Sequence, residues 1–254
     1  MADGDHGTAI VIDDATGTGR VLVVTAHPDD VDFGVGGSVA VWVKSGVEVS
    51  YVVITDGDAG GSDRSVPRED MAALRREEQR AAGAELGVSD ITFLGYPDGR
   101  LTASLDLRRD LCRVLRRVRP DRLVCQSPER DWDRIGASHP DHMAAGEAAV
   151  CVAYPDARNP FAYPELLEEG LEPFSVKEVW LMSSPRPNRA VDVTDVFERK
   201  LAALRCHRSQ VGEGEGLEQR LRGWLARGAR LAGLGEGRLT ETFQVVQMPE
   251  TGTA

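Results

Sequence analysis

Lysine is scarce in this chain: Lys44, Lys177 and Lys200 are the three among 254 residues, and all basic side chains total 30 against 41 acidic ones, a formal net charge of -11. Phosphate backbones are gripped by clustered Lys and Arg that release counterions, so this balance argues against a nucleic-acid partner. Cysteine is sparse too. Cys112, Cys125, Cys151 and Cys206 lie far apart with no CxxC pair, which argues against a zinc ribbon, a redox pair or a disulfide framework and leaves them as core fillers. Long apolar runs are missing: stretches such as Val47 to Ile54 fall far short of the roughly 18 residues that span a bilayer, so no membrane anchor is expected. Asp3, Asp5 and His6 stand where an export signal would carry positive charge and a greasy segment, which points to the cytoplasm. What remains is ordinary globular usage, 41% hydrophobic with 27 glycines. A single domain over residues 1–254 is expected, since α/β domains reach about 200–250 residues without splitting.

After a polar leader over residues 1–19, Val21 to Thr25 is a continuous β-branched run, the pattern of a strand covered on both faces. A loop holding His27-Pro28-Asp29-Asp30 and a glycine turn from Gly34 to Gly37 lead into a helix over Ser38 to Lys44. Val47 to Thr55 reads as the next strand, Arg68 to Leu86 as a helix stopped by Gly87, and Asp90 to Leu94 as a strand. Leu105 to Val118 is amphipathic and ends before Pro120, and Asp121 to Gln126 supplies a fourth strand. A helix is expected over His139 to Val152, entered through Ser138 or the Pro140-Asp141 step. Residues 153–174, interrupted by proline, read as a long irregular loop that covers a functional site. Val176 to Met182 and Ala190 to Val193 are two further strands and Val196 to His207 a helix. Residues 212–254 read as a glycine-studded tail with a helical patch over Leu217 to Arg227. The rhythm is that of an α/β fold: a mostly parallel, Rossmann-like three-layer sandwich.

Three of the five histidines fall in two related tetrapeptides, His27-Pro28-Asp29-Asp30 and His139-Pro140-Asp141-His142. Each follows the C-terminal end of an expected parallel strand, where open α/β sheets collect their ligands, so both can reach one crevice. Neutral imidazoles with a carboxylate are the usual protein ligands of a catalytic zinc, which keeps one position open for water. His27 and Asp30, three apart on a tight loop, can both reach one ion, while Asp29 between them is free to act as a base. In the second tetrapeptide one histidine can ligate while the other, held by Asp141, faces the substrate carbonyl. Spacing alone does not say which is which. The bland alternative is that Asp29 and Asp30 cap the next helix and His27 sits in a polar turn.

The stretch Ala26 to Gly37, with its AHPDD-x-(D/E)-x-x-x-GG pattern, and His139 to His142 resemble the PIG-L/LmbE-like family of zinc-dependent N-acetylglucosaminyl de-N-acetylases. The similarity continues through Leu74 to Glu78, Phe93 to Gly99 and Cys206 to Gln210, so it covers most of residues 20–210. The resemblance implies the LmbE-like sandwich, with His27, Asp30 and His142 binding the metal, Asp29 as general base, His139 as electrostatic or acid catalyst and Asp141 orienting His139. It implies Zn²⁺ as cofactor, although Fe²⁺ or Co²⁺ suits the same ligands. Arg75 matches a position associated with sugar binding; the alternative is a surface helix residue paired with Glu78 or Gln79. Asp98 lies in a loop near the same pocket, or simply forms a Pro-Asp-Gly turn. Asp32 departs from the pattern, since relatives commonly carry glutamate there, which puts its supporting contact in doubt.

Other candidates stand apart from that pattern. His207 can line the pocket or sit at a helix end against the dipole, and Trp132 can stack on a sugar ring or simply pack. Gly34 to Gly37 lacks the GxGxxG spacing of a dinucleotide turn, which argues against a nicotinamide cofactor. The expected activity is metal-dependent removal of an N-acetyl group from an N-acetylglucosamine-type amino sugar or glycoconjugate, a small-molecule substrate, with release of acetate. Two rivals are an amidase cleaving a larger acyl group, decided by the loop of residues 153–174, and a non-catalytic sugar-binding protein on the same fold. A homo-oligomer is compatible with the sequence.

Overall fold

Apolar β-branched runs form the strands, and runs rich in Ala, Arg and Glu form the helices, of the computed structural model, which describes residues 10–13, 16–61, 65–212 and 216–249. The chain runs through β1 (Val11–Ile12), β2 (Arg20–Thr25), α1 (Asp30–Gly34), α2 (Gly36–Lys44), β3 (Glu48–Thr55), α3 (Arg68–Leu86), β4 (Ile91–Tyr96), α4 (Leu105–Val118) and β5 (Arg122–Gln126). It continues through α5 (Pro140–Ala153), α6 (Glu165–Glu168), β6 (Glu178–Met182), β7 (Arg189–Asp192), α7 (Phe197–Cys206), α8 (Arg208–Val211), α9 (Gly216–Leu231) and β8 (Thr240–Gln247). Asp3, Asp5 and His6 of the leader lie outside the described residues.

The strands form one eight-stranded sheet in the order β1-β7-β8-β6-β5-β2-β3-β4, and β8 alone runs antiparallel to its neighbours. Side chains of β2 alternate between two cores. Val21 and Val23 join the cluster that includes residues of α2, α3, α7 and α9, while Leu22 and Val24 join the one beneath α4, α5 and α6. This is a three-layer α/β sandwich, and burial on both faces is why the central strands carry no polar alternation. From β2 the chain steps to β3 and β4 on one side and later to β5 and β6 on the other. The crevice above the C-terminal ends of β2 and β5 is therefore the topological switch point, the place where such sheets bind ligands.

Several expectations need correction. Gly34, Gly36 and Gly37 are not a turn: Gly34 ends α1, the other two open α2, and none has a positive φ. Their role is close approach, since a Cβ at Gly34 would lie 2.7 Å from Met182 Sδ and one at Gly37 2.8 Å from the Val193 side chain. Within the expected leader, Val11 and Ile12 pair with Arg189 and Ala190 as an edge strand. The tail is more than a helical patch, for β8 inserts between β6 and β7 and buries Thr240, Phe243 and Val245. Its apolar positions alternate as a strand should, but the glycines at 233, 235 and 237 hid it as loop.

The loop of residues 153–174 does not cover the switch point. It contains α6 and a short 3₁₀ turn, Asp156–Arg158, and begins at the end of α5 remote from His139 and His142. At about 1.5 Å per residue, the 14 residues of α5 separate those ends by about 21 Å. The loop is fastened instead by the buried Arg116 guanidinium, which donates to the carbonyl oxygens of Asp156, Ala157, Asn159 and Ala162. It therefore cannot decide the acyl group.

Candidate active site

At the top of β2 the buried Ala26 amide donates to Gln126 Oε1 at the end of β5 (3.0 Å), tying the two central strands together. The chain then turns sharply. Asp29 takes φ 91°, a left-handed conformation that costs a residue with a Cβ about 1–3 kcal/mol and persists only when its surroundings over-determine it. Helix α3 supplies those surroundings: Gln79 Oε1 accepts from the Asp29 amide (2.8 Å), and Arg75 Nη2 donates to Pro28 O (2.6 Å) and Asp29 Oδ2 (3.2 Å). Arg75 Nη1 also donates to Gly57 O (2.9 Å). The glycine loop after β3 is shaped around that guanidinium, because a Cβ at Gly57 or Gly60 would lie 2.3 or 2.4 Å from Arg75 Nη1.

The second tetrapeptide is built differently. A 3₁₀ turn, Ile135–Ser138, delivers the chain to His139, which is itself the N-cap of α5, with Pro140 in the first turn. Its Nδ1 accepts from the Asp141 amide (3.2 Å). Neither Ser138 nor the Pro140-Asp141 step is the cap. Gly146 lets α5 press on the end of β5, since a Cβ there would meet Gln126 O at 2.2 Å.

The two tetrapeptides meet. His27 Nδ1 lies 3.3 Å from His142 Nε2 and 3.3 Å from Asp30 Oδ2, and His142 Nε2 lies 3.0 Å from Asp30 Oδ1. Zinc bonds of about 2.0–2.1 Å at tetrahedral angles place ligand atoms about 3.3–3.4 Å apart, close to the 3.3 Å between the two ring nitrogens; Asp30 meets His27 and His142 through different oxygens, and Oδ2 also accepts from the His27 amide (2.7 Å). Ring nitrogens beside a carboxylate are ligands that zinc accepts, as do Fe²⁺ and Co²⁺. His139 closes the cluster on its exposed side, its ring 5.1 Å from that of His27 and 5.2 Å from that of His142, as near to each as those two are to one another (5.2 Å). Two further groupings have ligand atoms within 4.8 Å of one another, those of His27, His139 and His142 and those of His27, Asp98 and Asp141.

On its other side His27 is braced by carboxylates, with Nε2 3.1 Å from Asp98 Oδ1 and 3.3 Å from Asp141 Oδ2. A metal-binding imidazole characteristically gives its second N–H to such a group. Asp141 thus differs from expectation: its backbone amide meets His139, while its carboxylate supports His27 and accepts from the amides of Gly99 (2.7 Å) and Leu101 (3.1 Å). Asp98 is both turn and site residue, its second oxygen accepting from Ala59 N (3.1 Å).

The remaining candidates divide. Arg75 is buried and committed to the loops around Asp29, so it is neither a surface helix residue nor freely presented to a sugar. His207 cannot line a pocket, because it is 0% exposed. Its Nε2 lies 2.8 Å from Asp32 Oδ2, an oxygen that also accepts from Gln79 Nε2 (2.9 Å). Asp32, despite its short arm, keeps a supporting contact. Trp132 is 79% exposed, seven residues before His139, with the Arg130 guanidinium over its ring. Gln79, four residues after Arg75 on the same helix face, serves the site by binding the Asp29 amide and Asp32, a role that spacing alone does not reveal.

The electrostatics follow from this crowding. Burial, reinforced by the Asp30 charge and opposed by Arg75, raises the Asp29 carboxyl to about 7. Asp30 is buried as well, but His142 and His27 hold it well below the carboxylate range. Burial works against the charge on His27, yet Asp30 and Asp98 carry it up to about 10. Burial and the two neighbouring histidines push His139 below the ordinary imidazole value.

Comparison with known proteins decides the family. Residues 22–153 match the PIG-L model, described as GlcNAc-PI de-N-acetylase. The chain belongs to the PIG-L family. It is 34% identical over 195 residues to a diacetylchitobiose deacetylase of Thermococcus kodakarensis, covering 76% of this chain and 71% of that protein. A probable N-acetyl-alpha-D-glucosaminyl L-malate deacetylase 2 of Bacillus cereus is 29% identical over 198 residues, covering 75% of this chain and 83% of the other. Among solved structures, the N,N'-diacetylchitobiose deacetylase of Pyrococcus horikoshii superposes with a TM-score of 0.85 at 34% identity, over 92% of this chain and 86% of that one. The sandwich is thus the fold of a PIG-L deacetylase. Among the described residues no helix is long and apolar enough to cross a membrane.

Proposed function

We propose that this PIG-L family member is a zinc-dependent hydrolase that removes the N-acetyl group from an N-acetylglucosamine-type amino sugar or glycoconjugate, releasing acetate. The observation that carries the reading is the convergence of His27, Asp30 and His142, with side-chain atoms 3.0–3.3 Å apart, beside the His139 ring and next to Asp29 in the chain. His27, Asp30 and His142 would hold the ion, which when bound acts as a Lewis acid and lowers the pKa of water from about 15.7 toward about 7–9.

The chain's own groups do the rest. Asp29, held by Arg75, takes a proton from the attacking water and returns it to the leaving amine. His139 has Nδ1 occupied by the Asp141 amide, so its neutral ring carries the proton on Nε2, a donor for the carbonyl oxygen as negative charge develops there. The amide C–N bond then breaks, the water oxygen stays with the acetyl carbon as acetate, and the water protons end on the freed amine and in solvent. Trp132, exposed on the loop ahead of His139, is available to stack on a sugar ring.

The test is acetate release from N-acetylglucosamine, N,N'-diacetylchitobiose and an N-acetylglucosaminyl malate, before and after chelation and with zinc restored. Zinc-restorable release from at least one of them is expected. Sugar binding without acetate release would make the protein a binding module, and faster turnover of longer N-acyl groups would make it the larger-acyl amidase.

A further inference from the structure

Helix α1 has only five residues, yet it begins with Asp30 and follows directly on Asp29. So short a helix cannot hold itself, because a first turn fixes about six dihedrals for one hydrogen bond. Its start is clamped by α3, as described above. Its far end is held by a group that the proposed reaction does not use. Lys200 Nζ donates to Asp32 O (2.6 Å) and Phe33 O (2.8 Å), two carbonyls of α1, and to Glu241 Oε1 (2.7 Å). Glu241 in turn accepts from Gly37 N (2.9 Å), Ser38 N (2.7 Å) and Ser38 Oγ (2.6 Å) in the first turn of α2.

A cation therefore sits on the C-terminal carbonyls of one helix and an anion on the N-terminal amides of the next, the order of signs that both helix dipoles favour. Lys200 is 0% and Glu241 4% exposed, so neither charge has water to fall back on. An ammonium has three N–H bonds, and all three are used, which makes the joint stiff. It comes from α7 and β8, both outside the residues 22–153 that match the family.

We infer that Lys200 and Glu241 are positioning residues for Asp30: the buried pair fastens the α1–α2 junction and so sets the affinity of the metal site. The inference rests on the reading of Asp30 as a ligand. It makes the C-terminal strand β8, through Glu241, a working part of a site whose named residues all lie before it in the chain.

The test is zinc affinity of the full-length apo-protein, measured by competition with a chromophoric chelator, alongside thermal unfolding. Lys200→Met is compared with Arg116→Met, which removes a similarly buried cation, on α4, that fastens the loop of residues 153–174. Lys200→Met is expected to weaken zinc binding about 10–100-fold, the usual cost of losing a group that orients a ligand. Arg116→Met lowers Tm and leaves the zinc Kd unchanged. Where Lys200→Met fails to fold, Glu241→Gln keeps shape and acceptor while removing the charge, and a rise in Kd of about tenfold is expected. A folded Lys200→Met or Glu241→Gln variant with the parental zinc Kd overturns the inference. A parent protein that binds no zinc overturns the ligand assignment itself, so the two failures are told apart.

Discussion

The same three letters, His-Pro-Asp, occur twice in this chain and are folded in two different registers against the helix that follows. In the first copy the helix starts at Asp30, so Pro28 lies outside it and Asp29 is forced into the left-handed region as N-cap. In the second the helix starts at Pro140, so His139 is the N-cap, with φ −54°, and Asp141 falls inside the first turn, buried. The first copy therefore holds a half-buried carboxylate on a left-handed turn between the two proposed ligands His27 and Asp30. The second puts its carboxylate behind the site and leaves its first histidine on the exposed side of the cluster. A motif spelling does not assign roles; the residue at which the helix begins does.

The sharpest way to break this comparison is to cut each copy in turn. His142→Ala and Asp30→Ala are expected to lose bound zinc and, with it, acetate release, read by metal analysis and turnover. His139→Ala keeps zinc and loses about 10²–10³ in kcat, the usual cost of a missing oxyanion donor. If His139→Ala instead strips the metal, the two histidines of the second copy have exchanged roles. Next in size is Asp29. Both Asp29→Asn and Asp29→Ala lose about 10²–10⁴ in kcat, but asparagine tolerates a φ of 91° and alanine does not, so the alanine variant alone is less stable, by about 1–2 kcal/mol in denaturant unfolding.

A smaller effect is expected at Trp132, where alanine should raise KM for an amino sugar while kcat and Tm stay put. An unchanged KM would reduce that ring to surface decoration. The smallest effect concerns His207. Although burial lowers its affinity for protons, Asp32 raises it above the ordinary 6.5. The folded state therefore binds that proton more tightly than the unfolded chain. The resulting stabilisation is complete below the unfolded value and is lost as pH rises through the folded one. Thermal unfolding should show this contribution constant below 6.5 and falling as pH rises above it, and Asp32→Asn should flatten the fall.

Much of this was legible before any coordinates. Continuous apolar runs gave away β2, β3 and β5 because both their faces are covered, and Arg68 to Leu86 announced itself by composition and by Gly87, whose φ of 85° closes the helix. The meeting of the two tetrapeptides was legible because their pattern is local and doubled. What stayed hidden depends on tertiary contact. Spacing placed Arg75 on a helix, but not under the Asp29 turn, and nothing near His207 in sequence reveals Asp32, 175 residues away. The Lys200–Glu241 pair, 41 residues apart on a helix and on a strand concealed by glycines, has no sequence signature.

The most direct test of the account is zinc-edge anomalous diffraction from zinc-loaded crystals. The account predicts one ion within about 2.0–2.2 Å of His27 Nδ1, His142 Nε2 and an Asp30 oxygen, with its open side toward His139. An ion ligated by His139 in place of Asp30, or crystals of active protein with no ion there, would contradict it.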